Sequence, residues 1–225
     1  MGILSVVGTP IGNLGDVTLR ALDTLKQADV IACEDTRVTA KLLARYDIKK
    51  PLVIFHARSG KAAGSRILSL IGEGRHVALV TDAGTPGVSD PGNELVALVR
   101  ARIPDARIQA VPGVSALTAA LSIAGAKTDT FTFLGFLPHK KGRQTLFKEI
   151  ASERRAVIFY ESPHRIEKTL ASLVEVLPEG RSVTVLRELT KLHESVVAGA
   201  PEEVVAYFAA HKDEVRGEFV VIVSP

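Results

Sequence analysis

Between residues 3 and 123 the chain alternates short apolar runs with helix-like stretches five times, and the joins are rich in glycine and proline. The runs fall at residues 3–7, 30–33, 52–55, 76–80 and 107–111. Apolar character sustained over a whole run marks a strand buried on both faces, and strands separated by helices pair in parallel. The pattern therefore predicts an α/β fold with a mainly parallel sheet covered by helices. Asp16 is read as the cap of the first helix, with Leu19, Leu22 and Leu25 on one face. The second helix takes in Leu42 and Leu43, and the third, residues 62–71, stops at Gly72-Glu73-Gly74. A fourth begins near Glu94, and an alanine-rich fifth ends at Ile123.

The loop after the fourth run is the most restricted stretch of all. Thr81-Asp82-Ala83-Gly84-Thr85-Pro86-Gly87-Val88-Ser89-Asp90-Pro91-Gly92 holds three glycines, two prolines and two aspartates. It continues neither strand nor helix. Open α/β sheets bind ligands at the carboxyl ends of their strands, where bare glycine backbone lets a ligand approach closely. An ordinary turn would explain one Asp-Ala-Gly-Thr-Pro; the doubled Asp…Pro-Gly pattern points to a functional loop.

Gly125-Ala126-Lys127-Thr128-Asp129 has no long apolar residue and reads as a linker, which divides the chain into domains of residues 1–126 and 127–225. The second half offers strands near 131–136, 156–160, 182–186 and 219–223 and helices near 144–150, 166–177 and 201–210. A second α/β domain with mixed strand directions fits that order.

Composition narrows the function classes only slightly. No apolar run approaches the ~20 residues of a membrane span, and the N-terminus lacks the pattern of a signal peptide. The single cysteine, Cys33, excludes an intramolecular disulfide, suits a cytoplasmic protein, and sits in a strand as a buried, inert thiol. The net charge of +3 is a weak pointer to an anionic partner. More telling is the stretch from His139 to Arg155, with six Lys/Arg against two Glu. It is either a solvated helix face or a phosphate-contacting patch.

Several common sites are absent. No G-x-G-x-x-G follows the first strand, no P-loop and no G-x-S-x-G elbow occurs, and the six histidines show no metal-ligand spacing. His164 and His193 suit hydrogen bonding or substrate contact rather than a metal. What remains is a set of glycine and proline loops with carboxylates and arginines at strand ends.

Seven segments, in this order, carry a family resemblance. They are Val7-Gly8-Thr9-Pro10-Ile11-Gly12-Asn13-Leu14, Glu34-Asp35-Thr36-Arg37, the loop from Asp82 to Gly92, Val111-Pro112-Gly113, Phe133-Leu134-Gly135-Phe136-Leu137-Pro138, Tyr160-Glu161-Ser162-Pro163-His164-Arg165 and Arg187-Glu188-Leu189-Thr190-Lys191. Together they resemble the tetrapyrrole-methylase superfamily over nearly the whole chain. Glu-Asp-Thr-Arg and Tyr-Glu-Ser-Pro-His-Arg are similar to its branch acting on the ribose 2′-oxygen of a cytidine in small-subunit (16S) ribosomal RNA.

That resemblance implies two α/β domains with a cofactor cleft between them, S-adenosylmethionine as cofactor, and a homodimer. The implied partner is ribosomal RNA in the small subunit, with no DNA and no membrane. Position by position it places Ile11, Asp82, Gly84, Thr85, Ser115, Ala116, Glu161 and Leu189 at the cofactor. Asp82 accepts from the cofactor or caps its own loop; the cofactor role is favoured. Val114 stands where relatives often carry proline. The chain also ends just after its last strand, where many relatives continue, so RNA contacts made by such a segment are expected to be missing.

The sulfonium of S-adenosylmethionine is already activated, so placing the acceptor oxygen in line is the enzyme's main task. A general base within reach helps a ribose hydroxyl attack. Asp35 is the first candidate and Glu34 the second, while proton loss to water needs neither. Arg37 orients that carboxylate, holds an RNA phosphate, or merely ties strand to helix through Asp35. Lys140, Lys141, Arg143, His164 and Arg165 are candidates for contacting the RNA. The rival readings are a methylase of a porphyrin or corrin precursor and a non-catalytic RNA-binding assembly factor.

Overall fold

A computed structural model describes residues 1–56 and 60–225, with backbone alone for 60–62. It divides into two compact units, Met1–Ser115 and Ala116–Pro225. The division falls ahead of the Gly125–Asp129 stretch because the alanine-rich helix packs on the last strand of the second unit.

The first unit is the repeated strand–helix unit expected from the sequence. Its strands are β1 (Ile3–Val7), β2 (Val30–Cys33), β3 (Leu52–Ile54), β4 (His76–Leu79) and β5 (Arg107–Val111). They are ordered β3-β2-β4-β1-β5, with every neighbouring pair parallel. The helices are α1 (Leu19–Gln27), α2 (Thr36–Arg45), α3 (Gly60–Gly72) and α4 (Gly92–Arg102). Alternation along each strand sends side chains to opposite faces. Val7, Ile31, Cys33, Ala78 and Val80 pack with Ala21, Leu25 and Leu43 from α1 and α2. Leu4, Ala32, Val77 and Leu79 pack with Ile67, Ile71, Leu95 and Val99 from α3 and α4. The helices that follow β1 and β4 therefore cover opposite faces of the sheet, as at the switch point of an open α/β sheet.

Two local expectations at α1 are corrected. Its cap is Thr18, whose Oγ1 accepts the Ala21 N–H at 3.0 Å, while Asp16 ends a preceding 3-10 turn. Leu19 is exposed, and the buried face is Ala21, Thr24 and Leu25. A spacing of three repeated twice drifts round a helix of 3.6 residues per turn, so Leu19 and Leu25 do not share a face.

The second unit opens with α5 (Ala116–Ile123) and has strands β6 (Phe131–Phe136), β7 (Ala156–Glu161), β8 (Ser182–Arg187), β9 (Ser195–Gly199) and β10 (Phe219–Ser224). Their order is β6-β7-β10-β8-β9. β6 and β7 run parallel, β10 is antiparallel to both β7 and β8, and β9 is antiparallel to β8, giving the mixed sheet expected. Helices α6 (Arg143–Ser152), α7 (Ile166–Val176) and α8 (Pro201–Ala210) bury Phe147, Ile150, Leu170, Leu173, Val204 and Phe208 against Phe159, Val185 and Phe219. The register sets Glu161 and Arg187 on either side of Phe219, so the carboxyl ends of β7 and β8 lie at one sheet edge. Among the described residues no helix is long and apolar enough to cross a membrane.

Candidate functional site

In the first unit the loops after β1, β4 and β5 are fastened to one another by backbone. Thr9 and Gly84 exchange hydrogen bonds at 2.9 and 3.2 Å, and the Thr9 hydroxyl lies 3.2 Å from the carbonyls of both Thr81 and Gly84. Gly8 and Gly113 touch: a Cβ on Gly8 would stand 2.7 Å from Gly113 Cα, and one on Gly113 would stand 2.8 Å from the Gly8 backbone. Both positions need glycine for want of room. Gly84 needs it for its φ of 86°. A Cβ there would point toward Ile11 Cγ2 at 3.4 Å and the Val114 carbonyl at 3.6 Å. Ile11, Gly84 and Val114 thus leave a small cradle that a side chain would fill.

The second aspartate of the loop is structural. Asp90 Oδ1 accepts the N–H groups of Gly87 and Gly92 at 2.8 and 2.7 Å, closing the turn ahead of α4. Thr85 also spends its hydroxyl locally, donating to the Val114 carbonyl at 3.0 Å, so what it presents to a ligand is backbone. Asp82 is exposed and ties β4 to β2 by accepting the Asp35 N–H at 3.0 Å.

The two carboxylates proposed as bases differ sharply. Asp35 caps α2 by accepting the Arg37 N–H at 2.8 Å and holds the Arg37 guanidinium at 2.6 Å. Hydrogen bonds from the Arg37 side chain, then from its backbone, hold the Asp35 carboxyl down to about 2. A group that acidic is a weak base. Glu34 is half-buried and accepts from Thr81 Oγ1 at 3.0 Å, with the Asp82 N–H farther off at 3.5 Å. Burial pushes its carboxyl up, outweighing those hydrogen bonds, and the negative charges of Asp82 and Asp90 add to the rise. Arg37, largely exposed, pairs with Asp35 within the first turn of α2.

In the second unit three expected ligand contacts prove to be one internal cluster. Glu161, at the end of β7, is fully buried. Arg165 meets its Oε1 at 2.7 Å and Arg143 its Oε2 at 3.4 Å. Thr169 donates to Oε2 at 2.7 Å, and the Ser162 N–H donates to Oε1 at 2.8 Å. Arg143 also donates to Thr169 Oγ1 at 2.6 Å and sits 5.0 Å above the Phe147 ring. The Glu161 carboxylate is therefore not presented to a cofactor, and the Arg143 and Arg165 guanidiniums are not open to RNA phosphate. The pair needs all these donors because an incompletely matched buried charge is costly. Lys140, Lys141 and His164 are exposed, as their expected role requires. Sequence reading missed Thr169 and Thr9, because a threonine hydroxyl carries no local signature of its partner.

Leu189 lies in a strained turn after β8. Its neighbours Glu188 and Thr190 have φ of 52° and 66°, and Leu189 itself is buried. Lys191 holds the turn by donating to Glu188 at 2.7 Å and Glu218 at 2.8 Å. Left-handed backbone at two non-glycine residues is uncommon and collects at ligand-binding turns. Ser115 closes the first unit, and Ala116 is the first residue of α5. Among the described residues no group of three metal-ligating side chains forms.

The family described as Tetrapyrrole (Corrin/Porphyrin) Methylases matches residues 4–205, and the chain belongs to that family. The fold agrees: uroporphyrin-III-C-methyltransferase from Thermus thermophilus superposes with a TM-score of 0.69 at 23% identity, covering 100% of this chain and 94% of that one. The methyltransferase CobJ gives 0.72 at 22%, with 100% and 94% covered. Within the family, the chain is 45% identical to Ribosomal RNA small subunit methyltransferase I of Thermotoga maritima, covering 100% of this chain and 99% of that one. It is also 45% identical to the protein of the same name from Synechocystis, covering 100% and 79%.

Proposed function

We propose that this chain transfers a methyl group from S-adenosylmethionine to the ribose 2′-oxygen of a cytidine in small-subunit ribosomal RNA. One contrast carries the choice of acceptor. Identity is 45% along the whole chain to proteins named for small-subunit ribosomal RNA, against 23% and 22% to the two methyltransferase structures above. A porphyrin or corrin substrate is the reading this contrast disfavours.

The first unit suits the cofactor. Glycine at position 84 keeps side-chain bulk away from Ile11 and Val114 beside the loop, and exposed Asp82 offers a carboxylate to hydroxyl or amino donors. S-adenosylmethionine supplies an activated methyl group when bound. Glu34 takes the proton of the acceptor hydroxyl: burial makes it the more basic carboxylate, and Thr81 holds one of its oxygens at 3.0 Å. Asp35 caps α2 and, through the Asp82 bond, keeps the ends of β2 and β4 together. Exposed Lys140, Lys141 and His164 position RNA phosphates without reading bases.

Labelled S-adenosylmethionine offered with small subunits from cells lacking this enzyme, and in parallel with a uroporphyrinogen, tests the reading. Label in the RNA alone supports it. Label in the tetrapyrrole alone overturns it.

A further inference from the structure

The Glu161 cluster holds more than itself. Beyond its contact with Glu161, Arg165 sends an N–H to the Leu137 carbonyl at 2.8 Å, and Arg143 sends one to the Pro138 carbonyl at 3.0 Å. Those carbonyls begin the connection from β6 to α6, whose next residues are exposed His139, Lys140 and Lys141. Its far end is fixed by Gly142 at φ 79° and by Arg143 itself, the first residue of α6. One buried carboxylate thereby grips both ends of a basic turn through two guanidinium forks. A buried ion pair is seldom the most stabilising choice for a core, and its best-attested use is to fix geometry.

We propose that Glu161 is a positioning residue for RNA: through Arg143 and Arg165 it holds the 138–142 turn in one shape, with Lys140 and Lys141 set to meet two backbone phosphates. The inference rests on the RNA reading above. A turn ordered beforehand loses little entropy on binding, and lysines on it grip phosphate more tightly than the same lysines on a loose chain. The two arginines read from sequence as phosphate contacts thus act one step back, on the turn that makes the contact.

The test is Arg165→Lys, which keeps a positive charge beside Glu161 but lacks the fork that also reaches Leu137. Trypsin should cut after Lys140 or Lys141 faster than in the wild type. KM for the small subunit should rise about tenfold, on the scale of losing one or two phosphate contacts, with KM for S-adenosylmethionine and kcat unchanged. In a Lys140→Ala, Lys141→Ala background Arg165→Lys should add nothing further. Pro138→Gly keeps the carbonyl that Arg143 binds and leaves the buried side chains in place while loosening the turn, and it should give the same split, so a folding failure of Arg165→Lys does not end the test. A rise in KM for S-adenosylmethionine, an unchanged tryptic rate, or an effect that adds to the lysine substitutions overturns the proposal. If the wild type labels no RNA, the proposed function fails instead, and the tryptic rate still reads the clamp separately.

Discussion

Thr9 and Gly84 exchange two backbone hydrogen bonds, at 2.9 and 3.2 Å, and so join the loops that follow β1 and β4. The pairing depends on Gly84 keeping a φ of 86°. Gly84→Ala forces an L side chain into left-handed backbone and should cost about 1–2 kcal/mol, read from the urea midpoint. It should also weaken S-adenosylmethionine binding, because the new methyl enters the cradle beside Ile11. Gly72→Ala, at a helix end with open space around it, should change stability by no more than about 0.5 kcal/mol.

Glu34 and Asp35 should separate in pH dependence. A base with a raised pKa loses activity as pH falls through that value, so the acid limb of kcat should lie above the ordinary glutamate range. Glu34→Gln should lower kcat by about 10²–10⁴-fold, and Asp35→Asn far less. Stability runs the other way. For Glu34 the folded pKa is above the unfolded one, so its contribution is most favourable below 4.5 and is lost as pH rises through the folded value. Glu34→Gln should therefore be more stable than the wild type at neutral pH. Asp35 is depressed to about 2, so its contribution is present above 3.8 and disappears as pH falls through 2. Kinetics across pH 5–9 and thermal melts from pH 1.5 to 9 check both signs.

Gly217 has a φ of 89°, and a Cβ on it would overlap the Glu188 side chain. Gly217→Ala should cost about 2–3 kcal/mol from overpacking and left-handed strain together. Because Glu188 and Lys191 hold the turn around Leu189, the same variant should bind S-adenosylmethionine less tightly, as calorimetry would show.

Cys33 is fully buried, and burial raises its thiol pKa. A thiol reagent should leave the native protein unlabelled at neutral pH and react once per chain in denaturant. Fast labelling of the folded protein would contradict the packing of β2.

The first unit was legible because its signals are local. An apolar run, a Gly/Pro loop and a helical period each lie within about a dozen residues, and parallel pairing follows from their alternation. The glycines of the loops were legible for the same reason, although the contact between Gly8 and Gly113 joins residues far apart in sequence. Ion pairs are different. Nothing near Glu161 announces that Arg143 and Thr169, on two other elements, will surround it, so three charged residues read as ligand contacts became a structural cluster. The cap that Asp35 makes is equally hard to foresee, because a carboxylate that caps a helix looks in sequence like one awaiting a substrate. The alanine-rich α5 carries no mark of the strand it packs on.

The central claim is methylation of a ribose oxygen, and alkali tests it most directly. A methyl on the 2′-oxygen stops that oxygen from attacking the adjacent phosphate, so hydrolysis leaves a dinucleotide uncut. Small subunits labelled by this enzyme with S-adenosylmethionine should yield, after alkaline hydrolysis, radioactivity in one alkali-stable dinucleotide beginning with cytidine. Radioactivity in mononucleotides would mean a methylated base and contradict the account.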